Sequence, residues 1–168
     1  MKIAVVTGAS SGIGREFARQ ISQRYGKMDE IWIIARRKER LQELEQELRL
    51  NVRIFAMDLT NSNDMNQFKD YLKEYSPDIK LLVNCAGYGK VGSFEELNLE
   101  EQCGIIDINC KALTMFTGMC LPYISSHSRI INVASAAAFC PQPRFNVYAA
   151  SKSYVLSFSR ALNCELKE

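Results

Sequence analysis

The sequence predicts an α/β fold, a doubly wound parallel sheet in three α/β/α layers. Three observations carry that expectation. Short β-rich runs alternate with helical patterns along the chain. The runs are nearly continuously apolar, as in strands covered on both faces. A glycine-rich turn follows the first run directly, where a helix begins. Such alternation brings right-handed crossovers and helices on both sides of a parallel sheet.

The first strand is expected over residues 3–6, Ile-Ala-Val-Val. The helix after it spaces Ile13, Phe17 and Ile21 four residues apart, as one apolar stripe. A second strand at 31–35 precedes a helix with Leu41, Leu44 and Leu48 on one stripe. A third strand at 52–56 precedes a helix that groups Met65, Phe68 and Leu72. Strands four and five are expected at 81–83 and 130–133. Two longer helices are expected at 99–125, broken near its start, and at 146–166. The last is still in progress at Leu166-Lys167-Glu168, with no Gly or Asn to cap it. That end reads as a cut, with the last strands of the sheet missing and Val155, Phe158 and Leu162 partly uncovered.

The 168 residues are 47% apolar and 24% charged, which suits one compact domain over 1–168 with a real core. Twenty-one Lys and Arg against 19 Asp and Glu leave +2, so no nucleic-acid or anionic-membrane surface is expected. The apolar start is too short for a signal peptide, and Pro122 interrupts the longest uncharged stretch. A cytoplasmic protein without a membrane span is expected. Six cysteines form no C-x-x-C pair, so no metal site is expected, only reduced and mostly buried thiols. The one histidine, His127, lies in the polar run Ser125-Ser126-His127-Ser128 and reads as a surface residue. Acid–base chemistry must come from other groups.

The turn is Thr7-Gly8-Ala9-Ser10-Ser11-Gly12-Ile13-Gly14. A βα turn presents free amides at the positive end of a helix, where diphosphate binds without a side-chain cation. By analogy with the Rossmann fingerprint, Gly8 permits the turn, Gly12 admits phosphate to the backbone, and Gly14 lets the helix pack close. The spacing here is G-x-x-x-G-x-G, not G-x-G-x-x-G. Near the end of the second strand, where NAD enzymes carry a carboxylate for the ribose, stand Ala35, Arg36 and Arg37. Arginine pairs with a 2′-phosphate bidentately, and cations are out of place at a helix N-terminus. NADP(H) is therefore favoured over NAD(H).

Tyr148 and Lys152 stand four apart, on one helical face. Ser135 ends the fifth strand, where α/β sheets bind ligands, and is expected to face the same crevice as the turn. With these residues in place, the sequence resembles the short-chain dehydrogenase/reductase family. The matching elements are the T-G-x-x-x-G-I-G turn, Asp58 after the third strand, Asn84-Cys85-Ala86-Gly87 after the fourth, Asn109, Ser135 and Tyr148-x-x-x-Lys152. They run nearly end to end in family order. Cys85 replaces the family's usual second asparagine, and the two final family strands are absent.

The resemblance implies a role for each. Tyr148 would donate a proton to the substrate oxygen in reduction and accept one in oxidation. A cation about 4 Å from a phenolate, at an effective dielectric of about 20, supplies roughly 4 kcal/mol toward that ionisation. Lys152 is such a cation, and in the family also holds the nicotinamide ribose. Ser135 would fix the substrate oxygen, and Asn109 would orient a water linking Lys152 to solvent. Asp58 and Asn84 would flank the adenine and its ribose, and Ser10 the adenosine phosphate. Ser11, Ile13, Leu59, Ala86 and Gly87 complete the implied cofactor contacts. The alternative for Asp58 is a helix N-terminal carboxylate, and for Asn109 a mid-helix polar residue.

The expected activity is NADP(H)-dependent interconversion of a small-molecule carbonyl and a secondary alcohol, by the intact protein. A catalytically silent dinucleotide-binding or sensor module is the alternative, and an isomerase or dehydratase of the extended branch a third. The resemblance also implies a homodimer or homotetramer. Residues 136–145, with Phe139, Pro141, Pro143 and Phe145, suggest an apolar lining for an acyl chain, a steroid or another bulky ketone.

Overall fold

The computed structural model describes residues 1–166. In chain order the elements are β1 (Lys2–Thr7), α1 (Gly12–Arg24), β2 (Glu30–Ala35), α2 (Lys38–Glu45), β3 (Asn51–Ala56) and α3 (Ser62–Tyr75). Then come β4 (Asp78–Asn84), α4 (Leu99–Ile106), α5 (Leu113–Cys120), β5 (Arg129–Asn132) and α6 (Asn146–Glu165). A π-helical segment, Asp107–Ala112, joins α4 to α5. The sheet runs β3-β2-β1-β4-β5. β1 pairs in parallel with β2 and β4, and β2 with β3. This is the expected Rossmann-like α/β fold. Strand order reverses beside β1, the kind of place where such sheets take ligands.

The described residues form two compact units, one of Met1–Ala86 with Met115–Ile131, the other of Gly87–Thr114 with the residues from Asn132 on. The first holds the sheet core. Ile3 to Val6 in β1 and Ile31 to Ile34 in β2 are fully buried. Alternation turns Ala4, Val6, Ile31, Ile33, Leu81 and Val83 toward Ala18 and Ile21 of α1 and Leu41 and Leu44 of α2. On the other face Trp32 and Phe55 meet Phe68 of α3, which stacks on Phe116 of α5. Helices on both faces explain why the strands read as unbroken apolar runs, each buried large side chain contributing about 1.5–3 kcal/mol.

The structure departs from the expected elements at several places. Ile13 is 61% exposed and off the buried stripe, because it sits in the first turn of α1, where Gly14 rather than Ile13 faces inward. Leu48 lies past α2, whose last turn tightens as Glu47 N and Leu48 N donate to Leu44 and Glu45 carbonyls, yet it still packs on the core. The fifth strand stops at Asn132, and the Val133 carbonyl accepts from Lys152 Nζ instead. The helix expected at 99–125 ends at Cys120, before a 3-10 turn holding Pro122, which has no N–H to continue it. Its irregular stretch is the π segment in the middle, not the start. α6 closes at Glu165 with Leu166 after it; Lys167 and Glu168 lie outside the described residues. Val155 is fully buried, while Phe158 and Leu162 are half-buried.

All six cysteines are free, but they are not mostly buried. Cys110 and Cys120 are inside, and burial pushes the Cys120 thiol up. Cys103 and Cys164 lie on outward faces of α4 and α6, and Cys140 follows a 3-10 turn, so these three meet solvent. His127 is exposed in its loop, with a left-handed backbone at φ 64°. Among the described residues, no three His, Cys, Asp or Glu side chains gather as a metal would need. No helix among them is long and apolar enough to cross a membrane.

Candidate active site

In the first unit the glycine turn is built against the end of β4. Thr7 Oγ1 accepts from Cys85 N and Ala86 N, each at 3.1 Å, and so ties the two strand ends together. Gly8 turns at φ 69°, and a Cβ there would lie 2.8 Å from Ala86 N. A Cβ on Gly14 would collide with the Gly8 carbonyl, so only glycine lets α1 start this close to β1. Beside Gly12, by contrast, a Cβ would meet open space. Ser11 stands at the N-cap of α1 without a capping side-chain bond, and the first turn holds no acidic residue. The leading amides and the positive end of α1 therefore suit an anion.

The arginines differ from one another. Arg37 Nη2 donates to Ser10 Oγ at 3.0 Å and to Ser11 Oγ at 3.1 Å, which places its charge at the turn. Arg36 is 75% exposed along its side chain, with Nη1 3.7 Å from Asp58 Oδ2. Partial burial pushes the Asp58 carboxyl up, but Thr60's hydrogen bonds and the Arg36 charge outweigh it and leave it below the usual carboxylate range. Asp58 does not cap α3, which Asn61 caps by accepting from Asn63 N and Asp64 N. Leu59 is buried beside it. Asn84 is 4% exposed at the end of β4 and donates to Thr117 Oγ1 at 2.9 Å.

The second unit gathers the other expected residues. Lys152 is 7% exposed, and its Nζ donates to the Val133 carbonyl at 2.8 Å. The same Nζ lies 5.7 Å from the centroid of the Tyr148 ring, one helical turn away on α6. Asn109, 1% exposed, is braced at three points. Its Oδ1 accepts from Tyr88 N at 3.0 Å, and its Nδ2 donates to the Tyr88 carbonyl and to Ser151 Oγ, both at 2.9 Å. Both amide donors are thereby used, and the side chain braces the Tyr88 backbone against Ser151. A Cβ on Gly87 would lie 2.6 Å from Asn109 Oδ1 and 3.7 Å from Lys152 Nζ. Ser135 caps the 3-10 turn Ala136–Phe139, its Oγ accepting from Ala137 N at 3.2 Å.

Sequence reasoning missed Thr7 as a tie and Ser151 as a buried link. Thr7 was visible only as the first letter of the turn motif. Ser151 Oγ donates to the Tyr148 carbonyl at 2.7 Å while accepting from Asn109, a bond no spacing rule announces.

A family model described as short chain dehydrogenase matches residues 2–168. An uncharacterized oxidoreductase of Staphylococcus epidermidis is 32% identical over 167 residues, 98% of this chain and 71% of the relative. Among solved structures, a bulky-bulky ketone specific alcohol dehydrogenase from Comamonas testosteroni superposes with a TM-score of 0.87 at 29% identity. That match covers 99% of this chain and 68% of the other. A short-chain dehydrogenase from Sphingobium yanoikuyae, in complex with NADPH, gives 0.86 at 32% identity, over 99% of this chain and 66% of that one.

Proposed function

The chain belongs to the short-chain dehydrogenase family of oxidoreductases, and from that premise we propose that its protein interconverts a carbonyl and a secondary alcohol with NADP(H), Tyr148 carrying the proton. The observation that supports this best is the buried Lys152 cation held on the Val133 carbonyl, 5.7 Å from the Tyr148 ring. That placement sets the Lys152 amine and the Tyr148 ring side by side on α6, the alignment a positioned proton transfer needs. During reduction that proton goes to the substrate oxygen; during oxidation it returns. The Ser135 hydroxyl donates to the same oxygen as charge develops there. Asn109 and Ser151 hold the Tyr88 and Tyr148 backbones and so limit how far the donor can wander. Bound NADP(H) supplies or takes the hydride.

In the first unit, Gly8, Ser10, Ser11, Gly12, Ile13 and Gly14 hold the diphosphate end of the cofactor. Asp58, Leu59, Asn84, Ala86 and Gly87 are assigned to its adenosine side and Lys152 to the nicotinamide ribose. Arg37, docked on Ser10 and Ser11, is the main partner of the 2′-phosphate. Arg36 is secondary, because Asp58 offsets part of its charge. The NADPH-bound relative supports the same preference. A bulky, apolar carbonyl is the proposed substrate class, which the exposed Phe139 and Phe94 and the ketone-specific neighbour both support. A cytoplasmic homodimer or homotetramer is part of the proposal, by the family resemblance.

The test is a panel of aryl, cyclic and long-chain ketones offered to the full-length protein with NADPH or NADH, followed by loss of reduced-nicotinamide absorbance. NADPH-dependent turnover of the bulkier ketones, about tenfold better than with NADH, is expected. No nicotinamide-dependent turnover across the panel would overturn the reading.

A further inference from the structure

Two loops of the second unit, residues 87–98 and 140–145, are joined by contacts that the proposed reaction does not use. Gly92 N donates to the Arg144 carbonyl at 2.8 Å. Arg144 Nη2 donates to Glu96 Oε2 at 3.2 Å. Glu96 is itself fixed, since the same Oε2 accepts from Ser93 N at 3.0 Å. The Ser93 hydrogen bonds, and then the Arg144 charge, hold the Glu96 carboxyl below its usual range.

Arg144 stands at φ 64°, a left-handed conformation that a residue with a Cβ keeps only when its surroundings impose it. Arg144 is the third residue of a turn closed by Phe145 N donating to the Gln142 carbonyl at 3.1 Å, and the contacts above hold it there by its backbone and by its side chain. The next residue, Phe145, stacks on Tyr148 with ring centroids 4.3 Å apart and planes 23° from parallel. The other loop touches the same two rings. A Cβ added to Gly89 would lie 2.7 Å from Tyr148 Cγ and 2.8 Å from Phe145 Cε2.

We propose that Glu96 and Arg144 form a clasp that keeps residue 144 left-handed and thereby seats Phe145 against the face of Tyr148, which makes both of them positioning residues for the proton donor. The exposed ion pair is too weak to matter through charge alone. Its effect lies in the backbone dihedral, which sets where the next ring goes. Relaxation of residue 144 to a negative φ would turn the following peptide and draw Phe145 off Tyr148. Tyr148 would then sample orientations from which its proton transfers poorly. The link to catalysis rests on Tyr148 being the proton donor; the seat itself does not.

The test uses the full-length protein with tyrosine labelled at the Cζ carbon, the Tyr148 resonance being identified by its loss in Tyr148→Phe. Arg144→Ala and Glu96→Ala should each shift that resonance and lower kcat about fivefold, the scale of an exposed pair, with the KM for NADPH unmoved. Arg144→Gly lacks the guanidinium but adopts positive φ without strain. It should return the resonance toward wild type and recover most of the rate lost in Arg144→Ala. Adding Glu96→Ala to Arg144→Gly should change neither readout further. An unmoved resonance in Arg144→Ala and Glu96→Ala, or a glycine variant as impaired as the alanine one, would overturn the clasp. If Tyr148→Phe keeps its turnover while the resonance follows the clasp, the proton-donor reading fails and the seat for the ring stands.

Discussion

The two units hold their shape by different means. The first closes a sheet with apolar side chains on both faces; Trp32, Phe68 and Phe116 are among its fully buried residues. Its charged contacts, such as Arg15 and Arg19 on Glu47, lie toward the surface. In the second unit the central contacts are polar and directional. Asn109 spans Tyr88 and Ser151, Lys152 donates to the Val133 carbonyl, and Asn132 donates to Ser159. Apolar packing is strict about volume, whereas hydrogen bonds are strict about angle. A diphosphate needs a rigid backbone cradle, and a proton transfer needs aligned atoms. Each unit has the cohesion that its proposed task requires.

The contrast breaks most plainly at the core. Phe68→Ala removes the ring shared by Trp32, Phe55 and Phe116 and should cost about 3–5 kcal/mol in denaturant unfolding. Asn109→Ala should cost less, about 1–3 kcal/mol, yet lower kcat more than its stability loss explains. If the two cost alike and neither moves kcat, the division between the units is wrong. Arg36→Ala with Arg37→Ala comes next. It should raise the KM for NADPH about tenfold and leave that for NADH in place. Arg37→Ala alone should carry most of that change; equal effects on both cofactors would contradict it.

The smallest effect concerns Glu47 on the first unit's surface. The Arg19 hydrogen bond, and then that of Arg15, hold its carboxyl at about 2 against an ordinary 4.5. The folded value is the lower one, so the stabilisation is present above 4.5 and fades as pH falls toward 2. The difference in Tm between wild type and Glu47→Gln should therefore close across that window. A difference independent of pH would assign it to packing instead.

The sheet was legible because residues covered on both faces leave an unbroken apolar run, as in β1 and β2. Ile13 and Leu48 misled because periodicity marks a stripe but not where a helix begins or tightens. The chemistry-bearing residue types were legible, since spacing puts Tyr148 and Lys152 on one helical face. Their surroundings were not. Nothing in the run Pro143-Arg144-Phe145 announces a left-handed arginine. Nor does local sequence reveal that Arg37 rests on Ser10 and Ser11, a contact between positions 26 and 27 apart. The π segment around Asn109 was also hidden, because one extra residue in a turn barely disturbs the apolar pattern.

In the proposed reaction the Tyr148 hydroxyl moves the proton. Ketone reduction by Tyr148→Phe, measured beside calorimetric titration with NADPH, tests it most directly. Turnover should fall about 10²–10⁴-fold while NADPH binds as in wild type. A phenylalanine variant that reduces ketones at the wild-type rate would mean that another group moves the proton.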